Sequence, residues 1–322
     1  AAVACAAPAT QAAPAAGAAP AAEKVYKVGV CSPNNGVPFF SRLIAGLEDK
    51  ADELGGKYVL DIVDANDDTN TQINQVETFI ASGVDFIIMM PTQVEALIPV
   101  AQECNEAGIP FITINRTLTT GSIKDANVDM VTYVGADDYD GGLKQGELVE
   151  KMLGGKGNIC LIQGTIGASF SELRQAGIED YLKEHCPDIK ILDYQCSNQD
   201  QNTAMTITDN WLTKYAPGEV DGFVVVSTYD GLGVADAIEA AGRDELKGKV
   251  VSFDYPPEVL EAIKAGREFG TVIQAPYTQG YVGMTVIDQY FTEGRDKIEA
   301  NTWTELPVVT VDTVGQYPEA AW

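Results

Sequence analysis

A single histidine, His185, stands in 322 residues. It lies at the polar end of a helical run beside Cys186, and no Ser-His-Asp set can be assembled around it. Cations are scarce as well: 21 Lys and Arg face 47 Asp and Glu, a net charge of −26. Nucleic-acid phosphates need a basic face, so nucleic acid is excluded as a partner. No apolar run reaches the roughly 18 residues of a membrane-spanning helix. Nucleotide and metal motifs are absent in form. Gly154-Gly155-Lys156-Gly157 lacks the spacing of a P-loop and reads as a turn that ends a helix. Asp64-x-Asn66-x-Asp68-x-Asn70 carries Thr69 where a calcium loop needs Gly, and Gln75 where it needs a bidentate Glu. No metal or cofactor is therefore expected. Among six cysteines, Cys186 and Cys196 are the tempting disulfide pair. A strand of roughly six residues separates them, about 20 Å of chain. A disulfide needs Cα atoms within roughly 7 Å, so buried thiols are the expectation.

What the chain does hold is alternation. Residues 1–23 are nearly all Ala and Pro, a semi-rigid linker without a core. Ala2-Val3-Ala4-Cys5 resembles the start of a mature bacterial lipoprotein, which would make Cys5 a lipid anchor. Ala2 stands where such proteins usually carry Leu, so an incidental Cys in a signal-derived tail is the other reading. The remaining chain exceeds what one core usually supports, so two lobes are expected. Strand-like runs at Val25–Val30, Tyr58–Val63, Phe86–Met90, Phe111–Ile114 and Val131–Val134 are separated by helical patterns. The alternation restarts at Asn158–Ile162 and continues through Ile189–Tyr194, Gly222–Val226, Val250–Phe253 and Thr271–Ile273. Val308–Val311 comes last, with no helix behind it. Such βαβ order means parallel sheets covered on both faces.

Ligands of open α/β sheets sit outside the carboxyl ends of strands. The first such end is Cys31-Ser32-Pro33-Asn34-Asn35-Gly36-Val37-Pro38-Phe39-Phe40. Its rings suit the C–H faces of a sugar and its amides the hydroxyls. Equally, Phe39 and Phe40 could staple the helix start to the core. Arg116, Asp137, Thr228, Asp254 and Gln274 stand at other strand ends. Singly such residues are usually turn formers or N-caps; together they would line one cleft between facing lobes.

These motifs resemble the periplasmic sugar-binding proteins of ABC importers, in the type I group of ribose- and galactose-binding proteins. The resemblance covers about Val25 to Val314. It rests on Asn34-Asn35…Pro38-Phe39-Phe40, Gly83-Val84-Asp85-Phe86 running to Pro91-Thr92, and Gly108-Ile109-Pro110-Phe111 running to Asn115-Arg116. Gln163-Gly164, Arg174-x-x-Gly177, Ser252-Phe253-Asp254 and Ile273-Gln274-Ala275-Pro276 with Gly280 complete it. It implies an α/β fold of two doubly wound parallel-sheet lobes joined by a three-stranded hinge. The N-terminal lobe would hold 24–136 and 275–305, the C-terminal lobe 137–274 and 306–322. Phe39 and Phe40 would enclose a sugar; Asn35, Arg116, Asp254 and Gln274 would bond its hydroxyls. Departures from the ribose pattern fall at Asn115, Met90, Glu172 and Tyr229, which keep sugar binding and put ribose in doubt. Arg174 is read as a helix feature that goes with Gly177. The implied role is an extracytoplasmic, monomeric, non-enzymatic receptor. It would deliver a pentose, hexose or polyol to an ABC permease. Receptors for sugar-like autoinducers and the sensing core of LacI-type repressors share the fold. The latter would carry a basic helix-turn-helix where this chain has its Ala/Pro segment.

Overall fold

A computed structural model describes residues 2, 24–119 and 126–317; Cys5 lies outside them. Among these residues, strands and helices alternate. The first run is β1 (Tyr26–Ser32), α1 (Pro38–Glu53), β2 (Tyr58–Asp64), α2 (Thr69–Ser82), β3 (Phe86–Met89), α3 (Val94–Glu106), β4 (Phe111–Ile114) and β5 (Tyr133–Gly135). The second is α4 (Asp138–Leu153), β6 (Lys156–Gln163), α5 (Ser169–His185), β7 (Asp188–Cys196), α6 (Gln201–Lys214), β8 (Gly222–Val225), α7 (Asp230–Ala240), β9 (Val250–Phe253), α8 (Pro257–Lys264) and β10 (Gly270–Val272). There follow α9 (Pro276–Glu293), β11 (Asn301–Trp303) and β12 (Val308–Thr310).

The strands form two sheets, ordered β11-β5-β4-β3-β1-β2 and β12-β10-β9-β8-β6-β7. Central strands β3, β4, β8 and β9 are buried at every position, because helices cover both faces of each sheet. Each sheet with its helices is one lobe. The chain passes between lobes after β5, after β10 and after β11. Two details depart from the sequence reading. β12 runs antiparallel to β10, so the second sheet is not wholly parallel. β11 was not anticipated: it is three residues long, exposed at both ends, and carries no apolar run to announce it.

The lobes repeat one plan. By place in the sheet, β1 to β5 correspond to β6 to β10, and α1 with α9 corresponds to α5 with α4. The equivalence reaches single residues. A Cβ on Gly46 of α1 would lie 2.1 Å from the Tyr277 carbonyl oxygen, and one on Gly280 of α9 2.0 Å from that of Leu43. In the second lobe a Cβ on Gly177 would lie 2.2 Å from the Tyr139 carbonyl, and one on Gly142 2.1 Å from that of Arg174. Both helix pairs thus pack backbone against backbone, an approach only glycine permits. Cys186 and Cys196 are both free thiols, like Cys31, Cys104 and Cys160.

Candidate functional site

The carboxyl ends of both sheets open on a common cavity of about 560 Å³. That is within the range of small-molecule sites, roughly 300–1,000 Å³. Its walls come from the loops after the strands and from the first two turns of the helices behind them. Two backbone N–H groups of the first lobe bond to the second at its rim: Val94 N–H donates to the Gly167 carbonyl at 3.0 Å, and Thr117 N–H to the side-chain Oγ of Ser169 at 3.0 Å.

On the first lobe, Pro38 occupies the first turn of α1, where its fixed φ suits helix entry. It presents Phe39 and Phe40, ring edge to ring face with centroids 5.4 Å apart. Arg116, two residues beyond β4, is only 3% exposed. Its guanidinium lies 5.2 Å from the centroid of Phe40 and 5.2 Å from that of Phe170, a ring of the other lobe. Among the described residues its guanidinium hydrogen-bonds to the Pro91 carbonyl, at 3.4 Å, and Nε has no partner. Burial pulls its pKa down to about 10, with Asp67 opposing; the group stays charged at neutral pH.

On the second lobe, Asp254 follows β9 as Asn115 follows β4, the third strand in each sheet. Both are held in the left-handed region, at φ 73° and 65°. Asn and Asp tolerate it better than other side chains. Asp254 Oδ2 accepts from Thr228 Oγ at 2.5 Å, while Oδ1 is buried without a partner. Burial raises the pKa of this carboxyl, and Arg174, Thr228 and Gln274 oppose the rise. Arg174 is gripped on three sides. Its guanidinium pairs with Asp138 at 2.8 Å, donates to the Val226 carbonyl at 2.8 Å and lies 3.4 Å over the Phe253 ring.

Of the residues singled out in the sequence, Phe39, Phe40, Asn115, Arg116, Thr228, Tyr229, Asp254 and Gln274 lie on the cavity wall. Four do not. The Met90 side chain is wholly buried in the first-lobe core. Asp137 caps α4, accepting from the backbone N–H groups of Tyr139 and Asp140 at 3.1 Å, and faces a crevice by β11. Asn35 stands in the β1–α1 turn, its backbone N–H donating to Asp64 at 3.1 Å. Glu172 is half-buried in the first turn of α5, off the lining. Conversely, Phe170 and Arg174 belong to the wall and were not assigned to it from sequence. Phe170 and Arg174 occupy in α5 the places of Phe39 and Leu43 in α1, counted from Gly177 and Gly46. The repeat of the two lobes would have found Phe170. Loop residues Gln93 and Gln199 also reach the cavity and carried no signal of their own.

Residues 28–296 match the periplasmic binding protein domain family. The chain is 32% identical over 250 residues to a xylitol-binding protein of Mycolicibacterium smegmatis, spanning 78% of this chain and 68% of that protein. It is 28% identical over 268 residues to a ribose import binding protein of Bacillus subtilis, spanning 83% and 82%. Its fold superposes on an ABC transporter solute-binding protein of Bacillus halodurans with bound myo-inositol. The TM-score is 0.81 at 28% identity, covering 93% of this chain and 99% of that one.

Proposed function

The chain belongs to the periplasmic binding protein domain family, and from that premise we propose that it captures a neutral monosaccharide or polyol between its lobes and delivers it to an ABC import permease outside the cytoplasm. The observation that carries this reading is a buried guanidinium and a buried carboxyl, one on each lobe, both with open hydrogen-bonding capacity. Arg116 of one lobe has an unused Nε, and Asp254 of the other an unused Oδ1; neither forms an ion pair with a described residue. A hydroxyl both donates and accepts, so a chain or ring of hydroxyls can satisfy the carboxylate and the guanidinium together. A ligand with net charge would answer one of them and offend the other. The rings of Phe39, Phe40 and Phe170 suit the C–H faces of such a molecule. The names of the relatives point the same way, to xylitol, ribose and myo-inositol.

The function is binding without chemistry. The two lobes would be 24–136 with 275–305, and 137–274 with 306–322, turning about the three passages of the chain. Contacts split between lobes favour the closed state only by binding it better than the open one, and the permease would read the closed form. The protein would act as a monomer, with lipid at Cys5 holding it at the membrane. A thermal-shift screen of pentoses, hexoses, linear polyols and cyclitols tests the ligand class. A cognate ligand at about a hundred times its Kd stabilises the fold by about 2.7 kcal/mol. A melting temperature that moves only with amino acids, peptides or organic acids would overturn the reading.

A further inference from the structure

Gln279 is completely buried in the first turn of α9, five residues past Gln274 at the second passage between lobes. It does not line the cavity, whereas Gln274 does. Gln279 Nε2 donates to Gln274 Oε1 at 3.0 Å. Asn115 Nδ2 donates to the same oxygen at 3.1 Å and to Gln279 Oε1 at 3.2 Å. Both lone pairs of Gln274 Oε1 are therefore used, and only its Nε2 remains for the cavity. There the amide favours the ionised form of Asp254. With the carboxamide reversed, its oxygen would face a carboxylate, acceptor against acceptor.

We propose that Gln279 is a positioning residue: it fixes the orientation of the Gln274 carboxamide, so that the cavity offers an N–H donor beside the Asp254 acceptor. The inference rests on the sugar or polyol reading and narrows it. A ligand then needs an acceptor oxygen next to a hydroxyl that donates, the arrangement of a vicinal diol or of a ring oxygen beside a hydroxyl. Gln279 acts on this pattern without touching the ligand. Among the described residues, the charged and titratable groups around the three carboxamides include Asp254, which Gln274 and Arg174 act on, and the Tyr133 phenol, which donates to the Asn115 carbonyl at 3.1 Å and feels Asp138, Arg174 and Asp137.

Two substitutions test it. Q279E keeps the acceptor for Asn115 but can donate to Gln274 only while protonated, and burial lifts a carboxyl pKa towards the working range of ordinary buffers. Q279L can do neither at any pH. Full-length wild type and both variants are titrated calorimetrically with xylitol, D-ribose and myo-inositol at about pH 8 and about pH 5. The expected loss relative to wild type is roughly tenfold for Q279E at the higher pH, shrinking to about twofold at the lower, and roughly tenfold for Q279L at both. A Q279E loss that does not change with pH, or no loss, overturns the proposal. If wild type binds none of the three, the polyol reading fails by itself. Hydrogen exchange of the Gln274 side-chain amide in ligand-free, glutamine-labelled protein then decides about Gln279. Exchange at least tenfold faster in Q279L supports the positioning role, and unchanged exchange rejects it.

Discussion

Replacing Arg116 with Met should separate the cost of binding from the cost of folding. In the ligand-free protein Arg116 is 3% exposed and, among the described residues, its guanidinium holds one bond, at 3.4 Å. Depression of its pKa from 12.5 to about 10 by burial corresponds to roughly 3 kcal/mol against the charged form. Its two flanking rings return about 1–2 kcal/mol each as cation–π attraction. The two sums nearly cancel, so the charge adds little to the stability of the empty protein. Met fills the same slot between Phe40 and Phe170, and its sulfur packs well against rings. The melting temperature of the ligand-free variant should stay within about 2 °C of wild type, the shift for roughly 1 kcal/mol at this size. Binding should suffer, because a ligand loses hydrogen bonds to a charged donor worth about 1.5–3 kcal/mol. That is roughly a tenfold to hundred-and-fiftyfold rise in Kd. Calorimetric titration of the strongest ligand from the thermal-shift screen reads the affinity, and scanning calorimetry the stability. An affinity within twofold of wild type refutes the role of Arg116. A large fall in the melting temperature of the empty variant refutes the energy balance.

Two further outcomes follow from the second lobe. Asp230, whose carboxyl bonds Ser197 and Ser227, is pushed up by burial to about 6, and Glu268, bonded to Ser252, to about 7. Both folded values lie above the unfolded ones, so the stability they contribute is full below about pH 4 and is lost as pH rises through about 6 and 7. Asp230→Asn with Glu268→Gln should raise the melting temperature at about pH 8 and flatten its slope between about pH 4 and 7; a lower melting temperature at the higher pH would count against burial as the cause. Gly142→Ala sets a methyl 2.1 Å from the Arg174 carbonyl oxygen. It should cost at least about 1–3 kcal/mol in urea denaturation, and unchanged stability would mean that α4 and α5 can part without penalty.

Much of the first lobe's contribution was legible because its signals are local. Pro38-Phe39-Phe40 follows an apolar strand, and Arg116 closes another, so both fall at strand carboxyl ends by chain order alone. Met90 shows where this fails. β3 is buried on both faces, so hydrophobicity carries no alternation to say which way its last side chains point. Asp137 sits at a strand end too, but a carboxylate two or three residues before free helix N–H groups is drawn to them as a cap. Phe170 and Arg174 were hidden for another reason. Their place follows from the match of α5 to α1, and that match is anchored by Gly46 and Gly177, whose role is a close helix contact and not a shared sequence. β11 is too short and too polar to register at all.

On the proposed function, a neutral, polyhydroxylated molecule bridges Arg116 and Asp254 across the cavity. The most direct test of this bridge is calorimetric titration of ligand-stripped protein with the strongest polyol or sugar from the screen, run beside Asp254→Asn. One ligand per chain is expected, and for the variant an affinity lower by roughly tenfold or more, since an amide is a weaker acceptor than a carboxylate. No heat from any neutral polyol or sugar, or equal affinity in the two proteins, would contradict it.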